Sequence, residues 1–309
     1  MARWSKRVKG NGLRVLVYHR FPQSCRDALA QQCAFLREHA TPISLCDAIR
    51  CLEGTEPMPP NAVSVTIDDG YLDYMQVGHE VFSAYGIPTA IFVTSKFIDG
   101  GYRLWFDRLE HAVLYCRRHE IQIGAGPWGG PFRFCTDLSE NRSQVVKQML
   151  EYAKRLPGRA LEPFVACVEE SVDQEPTVGP PKDYAAMTWK DLRTLATTGG
   201  LTVGAHTTNH PILSRVESAR ELDDELAGCR QLMEQKLGLP VEFVAYPNGQ
   251  PQDVNRGVLG AAREAGYRAG FTTVPGLNRP GCDFFALKRL SMRPEYPVSH
   301  LADALATAR

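Results

Sequence analysis

Short apolar runs recur along the chain at residues 13–18 (LRVLVY), 62–67 (AVSVTI), 87–93 (IPTAIFV), 201–205 (LTVGA), 241–246 (VEFVAY), 268–274 (RAGFTTV) and 284–290 (FFALKRL). Most are rich in β-branched and aromatic residues and nearly continuous in hydrophobicity, which suits parallel strands covered on both faces. Segments of helical period lie between them. Ser44 with Asp47 makes a capping-box-like start. Asp73 opens a segment through Val81 and Phe82 that Gly86 stops. Thr188 and Asp191 open another, with Leu192, Leu195 and Ala196 as its apolar stripe and Gly199 and Gly200 as its stop. The longest covers residues 216–237, where Leu222, Leu226, Cys229, Met233 and Leu237 recur every three or four positions ahead of Gly238 and Pro240. Residues 258–265 form one more, stopped by Gly266. This alternation predicts an α/β architecture of βα repeats.

Residues from about 100 to 186 interrupt the rhythm and read mainly helical. Leu109, Val113 and Cys116 share a helix face, a Gly/Pro-rich hinge occupies residues 124–131, and helical patterns follow over 141–155 and 161–172. Residues 175–182 (EPTVGPPK) read as a linker. The stretch is taken as an insertion between two strands of a single domain spanning residues 1–309. It could serve as a lid, a substrate arm, an oligomer contact or a plain structural extension.

Composition narrows the class. The 309 residues carry 35 Lys+Arg against 35 Asp+Glu, with 44% hydrophobic and 23% charged positions. Those values fit a soluble globular protein and argue against wholesale disorder. A net charge of zero gives no electrostatic footprint for nucleic acid. No apolar run approaches the ~18 residues of a membrane helix. The nine cysteines are an odd, scattered set without a C-x-x-C pair, unlike a secreted disulfide framework. The basic first twelve residues (MARWSKRVKGNG) lack the apolar core of a signal peptide. Both observations favour the cytoplasm. Arg3, Lys6, Arg7 and Lys9 could touch an anionic membrane surface peripherally, or form a solvated terminus.

Two segments concentrate chemistry. The run VSVTIDDG ends an apolar strand in two adjacent carboxylates, Asp68 and Asp69, and a glycine. In βα barrels catalytic groups sit where strands give way to loops. Two neighbouring acids at a buried strand end are costly unless a cation or a division of labour accommodates them. A helix cap followed by a turn is the plainer reading of the same residues. The run GAHTTNH follows another apolar strand and sets His206 four residues before His210. Imidazole is a common zinc ligand, and two carboxylates with two imidazoles make an Asp-His-His set with room for water. One capping and one exposed histidine would be the alternative.

With these segments in view, the chain resembles the polysaccharide deacetylase family, also called the NodB-homology or carbohydrate esterase family 4 domain. Residues 66–70 (TIDDG) match its first motif, T-[FI]-D-D-G, and residues 206–210 (HTTNH) match its second, H-[ST]-x-x-H. Its third, an R-x-P-[YFW]-G-like turn, corresponds to Ala245, Tyr246, Pro247, Asn248 and Gly249. The resemblance implies a distorted (β/α)7 barrel, a divalent metal, commonly zinc, on Asp69, His206 and His210, and Asp68 as general base. It implies a hydrolase that removes the N-acetyl group from an N-acetylated sugar in a polysaccharide, glycolipid or other glycan precursor.

Two departures stand out. Ala245 replaces the arginine of the third motif, and the usual C-terminal Leu-x-His, source of the general acid, is missing from ALKRLSM. His19, at the end of the first strand in VLVYHRF, matches the branch similar to biofilm poly-N-acetylglucosamine deacetylases, whose motif order is permuted; it becomes the candidate acid. His300 is a weaker candidate. Arg289 could pair with Asp68 in place of the missing arginine, and Asn248 would supply an oxyanion-binding N–H. Tyr246, with Tyr18, Tyr71 and Trp105, could stack on sugar faces or simply pack. Two other readings stay open: a carbohydrate-binding barrel with impaired catalysis, and a metal-dependent hydrolase of a non-sugar amide or ester.

Overall fold

The structure, a computed structural model, describes residues 12–136, 139–172, 184–198 and 200–308. The basic N-terminal residues and the linker at 175–182 lie outside them. The apolar runs become strands because each can bury both faces. In the described residues the order is β1 (Arg14–Tyr18), α1 (Arg26–His39), β2 (Thr41–Pro42), α2 (Leu45–Glu53), β3 (Ala62–Ile67), a π-helical turn (Tyr74–Gly78) running into α3 (His79–Ala84), and β4 (Thr89–Val93). The insertion follows with α4 (Ser95–Asp99), α5 (Trp105–Leu114), β5 (Glu120–Ile123), β6 (Phe132–Cys135), α6 (Ser139–Ala153) and α7 (Gly158–Ser171). Then come α8 (Trp189–Thr198), β7 (Leu201–Ala205), α9 (Ala219–Asp223), a second π-helical turn (Asp224–Gly228), α10 (Cys229–Leu237), β8 (Phe243–Ala245), α11 (Arg256–Glu264), β9 (Ala269–Phe271), β10 (Leu290–Ser291) and α12 (Val298–Thr307).

The sheet runs β10-β1-β3-β4-β7-β8-β9, with β2 added beside β3, and its ladders are all parallel. This is the curled, distorted (β/α) barrel. Between its end strands, Phe271 bridges Leu287 and the Arg289 amide donates to the Val274 carbonyl at 3.1 Å. One apolar cluster lies between sheet and helices, drawing on Leu16, Val65, Ile91, Leu226 and Met233 among others. A second fills the barrel with Val15, Ala90, Phe92, Phe243 and Phe271. The insertion has its own cluster, built on Leu109, Val113, Met149, Phe164 and Val165.

Several helix starts follow their sequence signals. Ser44 Oγ accepts from the Asp47 amide at 3.1 Å, and Thr188 and Asp191 bond reciprocally. Asp73 differs: its side chain does not cap, because Arg20 takes it in an ion pair at 2.9 Å. The mainly helical reading of the insertion misses a hairpin. β5 and β6 pair antiparallel across the glycine-rich stretch read as a hinge. The last strand is also shorter and later than its apolar run: β10 covers only Leu290 and Ser291, Leu287 makes an isolated bridge to Phe271, and Phe284 and Phe285 pack in the preceding loop.

Candidate active site

β1, β3, β7 and β8 present His19, Asp68 and Asp69, His206 and Asn248 at or just beyond their C-terminal ends, so the parallel arrangement gathers distant residues at one rim, which Arg289 reaches from just before β10. β3 runs straight into Asp68, whose amide continues the ladder by donating to the Tyr18 carbonyl at 2.9 Å. The backbone then turns sharply: Asp69 has φ 77° and Gly70 φ 102°. A Cβ at Gly70 would lie 2.7 Å from Ile98 Cδ1, so glycine is required both by its torsion and by this close approach. The turn aims the two adjacent carboxylates at different partners.

Asp68 meets Arg289. The guanidinium forks onto both carboxylate oxygens at 2.7 Å each and donates from Nε to the Thr272 carbonyl at 2.8 Å. Both residues are buried. Burial alone would raise the Asp68 carboxyl; Arg289, helped by His206 and His19, outweighs it and holds the group below its ordinary range. The His19 Nε2 lies 4.0 Å from Asp68 Oδ2, and its side chain is 45% exposed, so it faces the cavity mouth. Arg289→Met should move the acidic limb of a pH–activity profile upward, because Asp68 loses the charge that keeps it ionised. The expected fall in kcat/KM is roughly 10- to 100-fold, the usual scale for a supporting partner. An unchanged profile would remove Arg289 from this role.

Asp69 meets the two imidazoles. His206 Nε2 lies 3.5 Å and His210 Nε2 3.4 Å from Asp69 Oδ1. All three residues are buried, and each offers one ligand atom within 4.8 Å of the others. Asp69 Oδ1 has no hydrogen-bond partner. Its distance to both nitrogens is too long for good hydrogen bonds and suits a shared cation. His206 Nδ1 lies 2.8 Å from the Ala245 carbonyl, and donation there leaves Nε2 with its lone pair turned inward. The donor chemistry, two imidazole nitrogens and one carboxylate oxygen, fits a zinc-like divalent ion with a position left over.

The cavity beside these groups has a volume of about 990 Å³. Its lining includes His19, Asp68, Asn248 and Tyr71 from the barrel, and Phe106, Glu110 and Arg155 from the insertion. The insertion therefore supplies part of the wall. Trp105 Nε1 donates to the His210 carbonyl at 3.0 Å, and the Phe106 ring stands edge-on to the His210 imidazole at 5.0 Å.

The aromatic expectations need correction. Tyr246 does not face the cavity: its ring is in the main core, its hydroxyl donates to the Phe285 carbonyl at 3.0 Å, and Gly270 leaves the space it fills. Tyr18 is likewise buried, with its hydroxyl on Gln32; Trp105 borders the cavity but is buried, its indole N–H on the His210 carbonyl. Tyr71 does line the cavity, although Arg20 covers its ring at 4.0 Å from the centroid. His300 is exposed on α12, its ring tilted against Tyr296, and not among the cavity residues.

Asp107 is a group the sequence reading missed. It lines the cavity, is buried, and accepts from the Tyr71 hydroxyl at 2.7 Å. Burial pushes its carboxyl up to about 7, against the pull of the Tyr71 hydrogen bond and with added repulsion from Asp69. The folded protein thus keeps a proton that the unfolded chain releases near pH 4, so this group's contribution to stability falls as the pH rises from about 4 to about 7. Asp107→Asn should abolish that loss, a relative change of at most about 4 kcal/mol across the window. Urea midpoints at pH 4.5 and 7.5 check it; parallel behaviour of variant and wild type would contradict it.

Comparison with known proteins bears on the fold and the family. Residues 168–270 match the polysaccharide deacetylase family model. No curated protein matches the sequence. Among solved structures, IcaB from Ammonifex degensii superposes with a TM-score of 0.64 at 20% identity, covering 97% of this chain and 99% of that one. The Streptococcus pyogenes deacetylase PplD in complex with acetate gives 0.61 at 16% identity, over 95% and 98%. The BpsB deacetylase domain from Bordetella bronchiseptica gives 0.60 at 18%, over 92% and 97%. At these identities the likeness concerns the fold.

Proposed function

We propose that the chain is a member of the polysaccharide deacetylase family, whose model matches residues 168–270, and a metal-dependent hydrolase removing the N-acetyl group from an N-acetylated sugar in a polysaccharide, glycolipid or other glycan precursor. The observation that carries this reading is the split fate of two adjacent carboxylates. Asp69 shares its unpartnered oxygen with two imidazoles, and Asp68 stays beside them under Arg289.

Asp69, His206 and His210 would hold the ion. When bound, a divalent cation supplies Lewis acidity, polarising the acetyl carbonyl and making water a stronger nucleophile near neutral pH. Asp68, kept ionised by Arg289, takes the proton from the attacking water. The Arg289 fork fixes the carboxylate plane, so the accepting oxygen does not swing away. His19, half-exposed at the cavity mouth, donates a proton to the departing sugar nitrogen. The Asn248 backbone, held at φ 58° beside the cavity, offers its N–H to the developing oxyanion. Water adds across the amide bond, giving acetate and a free amino sugar.

A carbohydrate-binding barrel with impaired catalysis was suggested by the two motif departures. Arg289 and His19, both within 4.0 Å of Asp68, weigh against that reading. The odd, scattered set of nine cysteines is the sequence feature behind proposing a cytoplasmic precursor as substrate. The reading is tested after zinc loading by assaying acetate release from N-acetylated oligosaccharides, nucleotide-linked sugars and acetyl esters, and ring opening of cyclic amides, side by side. Release confined to N-acetyl sugars is expected. Turnover of only esters or non-sugar amides, or of nothing, would overturn it.

A further inference from the structure

We propose that Glu225 is the positioning residue that shapes the 206–210 segment into a metal-binding loop, an inference that rests on the metal-dependent reading of the site. The loop cannot bring its histidines together as a regular helix or strand would. Thr207 and His210 adopt left-handed backbone, with φ 67° and 58°, a conformation costing side-chain-bearing residues on the order of 1 kcal/mol or more each. The turn leaves successive amides facing one side, a concavity suited to an anion.

Glu225 fills it. The carboxylate Oε2 accepts from the amides of Thr208 and Asn209, both at 2.9 Å, and Oε1 accepts from Asn209 Nδ2 at 2.6 Å. Glu225 is 7% exposed and comes from the π-helical turn that interrupts the 219–237 helix. Such turns often occur at functional sites. The same turn offers the Asp224 carbonyl to the Thr208 hydroxyl at 3.0 Å.

Other elements hold the loop's carbonyls. Thr94 Oγ1 bonds the His206 carbonyl, the amides of Ser95 and Lys96 bond those of Thr207 and Thr208, and Tyr102 and Trp105 bond those of Asn209 and His210. Carbonyls are thus gripped from one direction and amides from the other. In the second grip Glu225 is the single carboxylate serving two amides and a side chain. Its contact is with the residues between the histidines, so its effect on the ion passes through their placement.

Glutamine at this position keeps the shape but turns an NH2 toward donors. Glu225→Gln should weaken zinc binding by roughly 10- to 100-fold, the scale for outer partners of metal ligands. Asn209→Ala removes one donor only and should weaken it in the same direction by less. The experiment strips wild type and both variants with a chelator and titrates each with zinc against a chromophoric competitor. Near-UV circular dichroism monitors the fold, and the cobalt(II) absorption band reports ligand geometry. Weaker zinc binding and an altered cobalt band in natively folded variants support the proposal. Zinc affinity within twofold of wild type and an unchanged band in folded Glu225→Gln overturn it; should that variant not fold, the same result in Asn209→Ala does so. A wild-type chain that takes up no zinc overturns the metal-dependent reading first, and the role of Glu225 with it.

Discussion

Asp68→Asn should leave zinc uptake at one ion per chain while lowering kcat roughly 10²- to 10⁴-fold, the range a positioned acid–base group contributes. Asparagine is nearly isosteric but cannot accept and hold the proton from water. The ligand set is untouched, because Asp68 is neighbour to Asp69 in sequence while its oxygens face Arg289. The substitution has a second consequence. Arg289 is fully buried and loses its counter-charge, which costs about 3–5 kcal/mol where a buried pair is broken on one side. The remaining bonds from Arg289 to the Thr272 carbonyl and Thr66 Oγ1 retain the guanidinium in place. A lower Tm with intact zinc stoichiometry and near-absent turnover is the expected combination. Retained zinc with near-normal turnover would remove Asp68 from the base role.

His210→Ala should abolish high-affinity zinc binding and with it activity, roughly a thousandfold or more. Two protein ligands would remain where a catalytic zinc site uses three. The effect separates from simple unfolding by thermal denaturation with and without metal. Zinc at about a thousand times its Kd stabilises a binding protein by about 4 kcal/mol, and the variant should gain almost none of this. A variant whose Tm still rises with zinc as the wild type's does would place the ion elsewhere. The Phe106 ring edge against His210 means the deletion also leaves a small void, so the metal-free variant should melt slightly below metal-free wild type.

The barrel was legible because its strands are two-face buried and therefore almost uninterrupted in hydrophobicity. The exceptions have physical causes. β5 (EIQI) and β6 (FRFC) do alternate, but over four residues each, too short a run to stand out from the helical patterns around them, and their glycine-rich turn also reads as a hinge. β10 is two residues long, and the apolar residues ahead of it pack in a loop. The two-carboxylate and two-histidine segments were legible because strand end, turn and chemistry are contiguous. The fork of Arg289 onto Asp68 spans 221 positions, and only the parallel order of β10, β1 and β3 brings the two side chains together. Asp107 and Glu225 lie on amphipathic helical segments where an acid reads as solvent-facing. Tyr246 was misplaced because an aromatic residue at a strand end gives no sign of which side of the sheet it fills.

The most direct measurement is an anomalous difference map from crystals grown with zinc and recorded at the zinc absorption edge. The geometry predicts one strong peak bounded by Asp69 Oδ1, His206 Nε2 and His210 Nε2, with the Asp68 carboxylate still forked by Arg289. A map with no peak there, or with Asp68 drawn off Arg289 to ligate the ion, would contradict the division of labour between the two carboxylates.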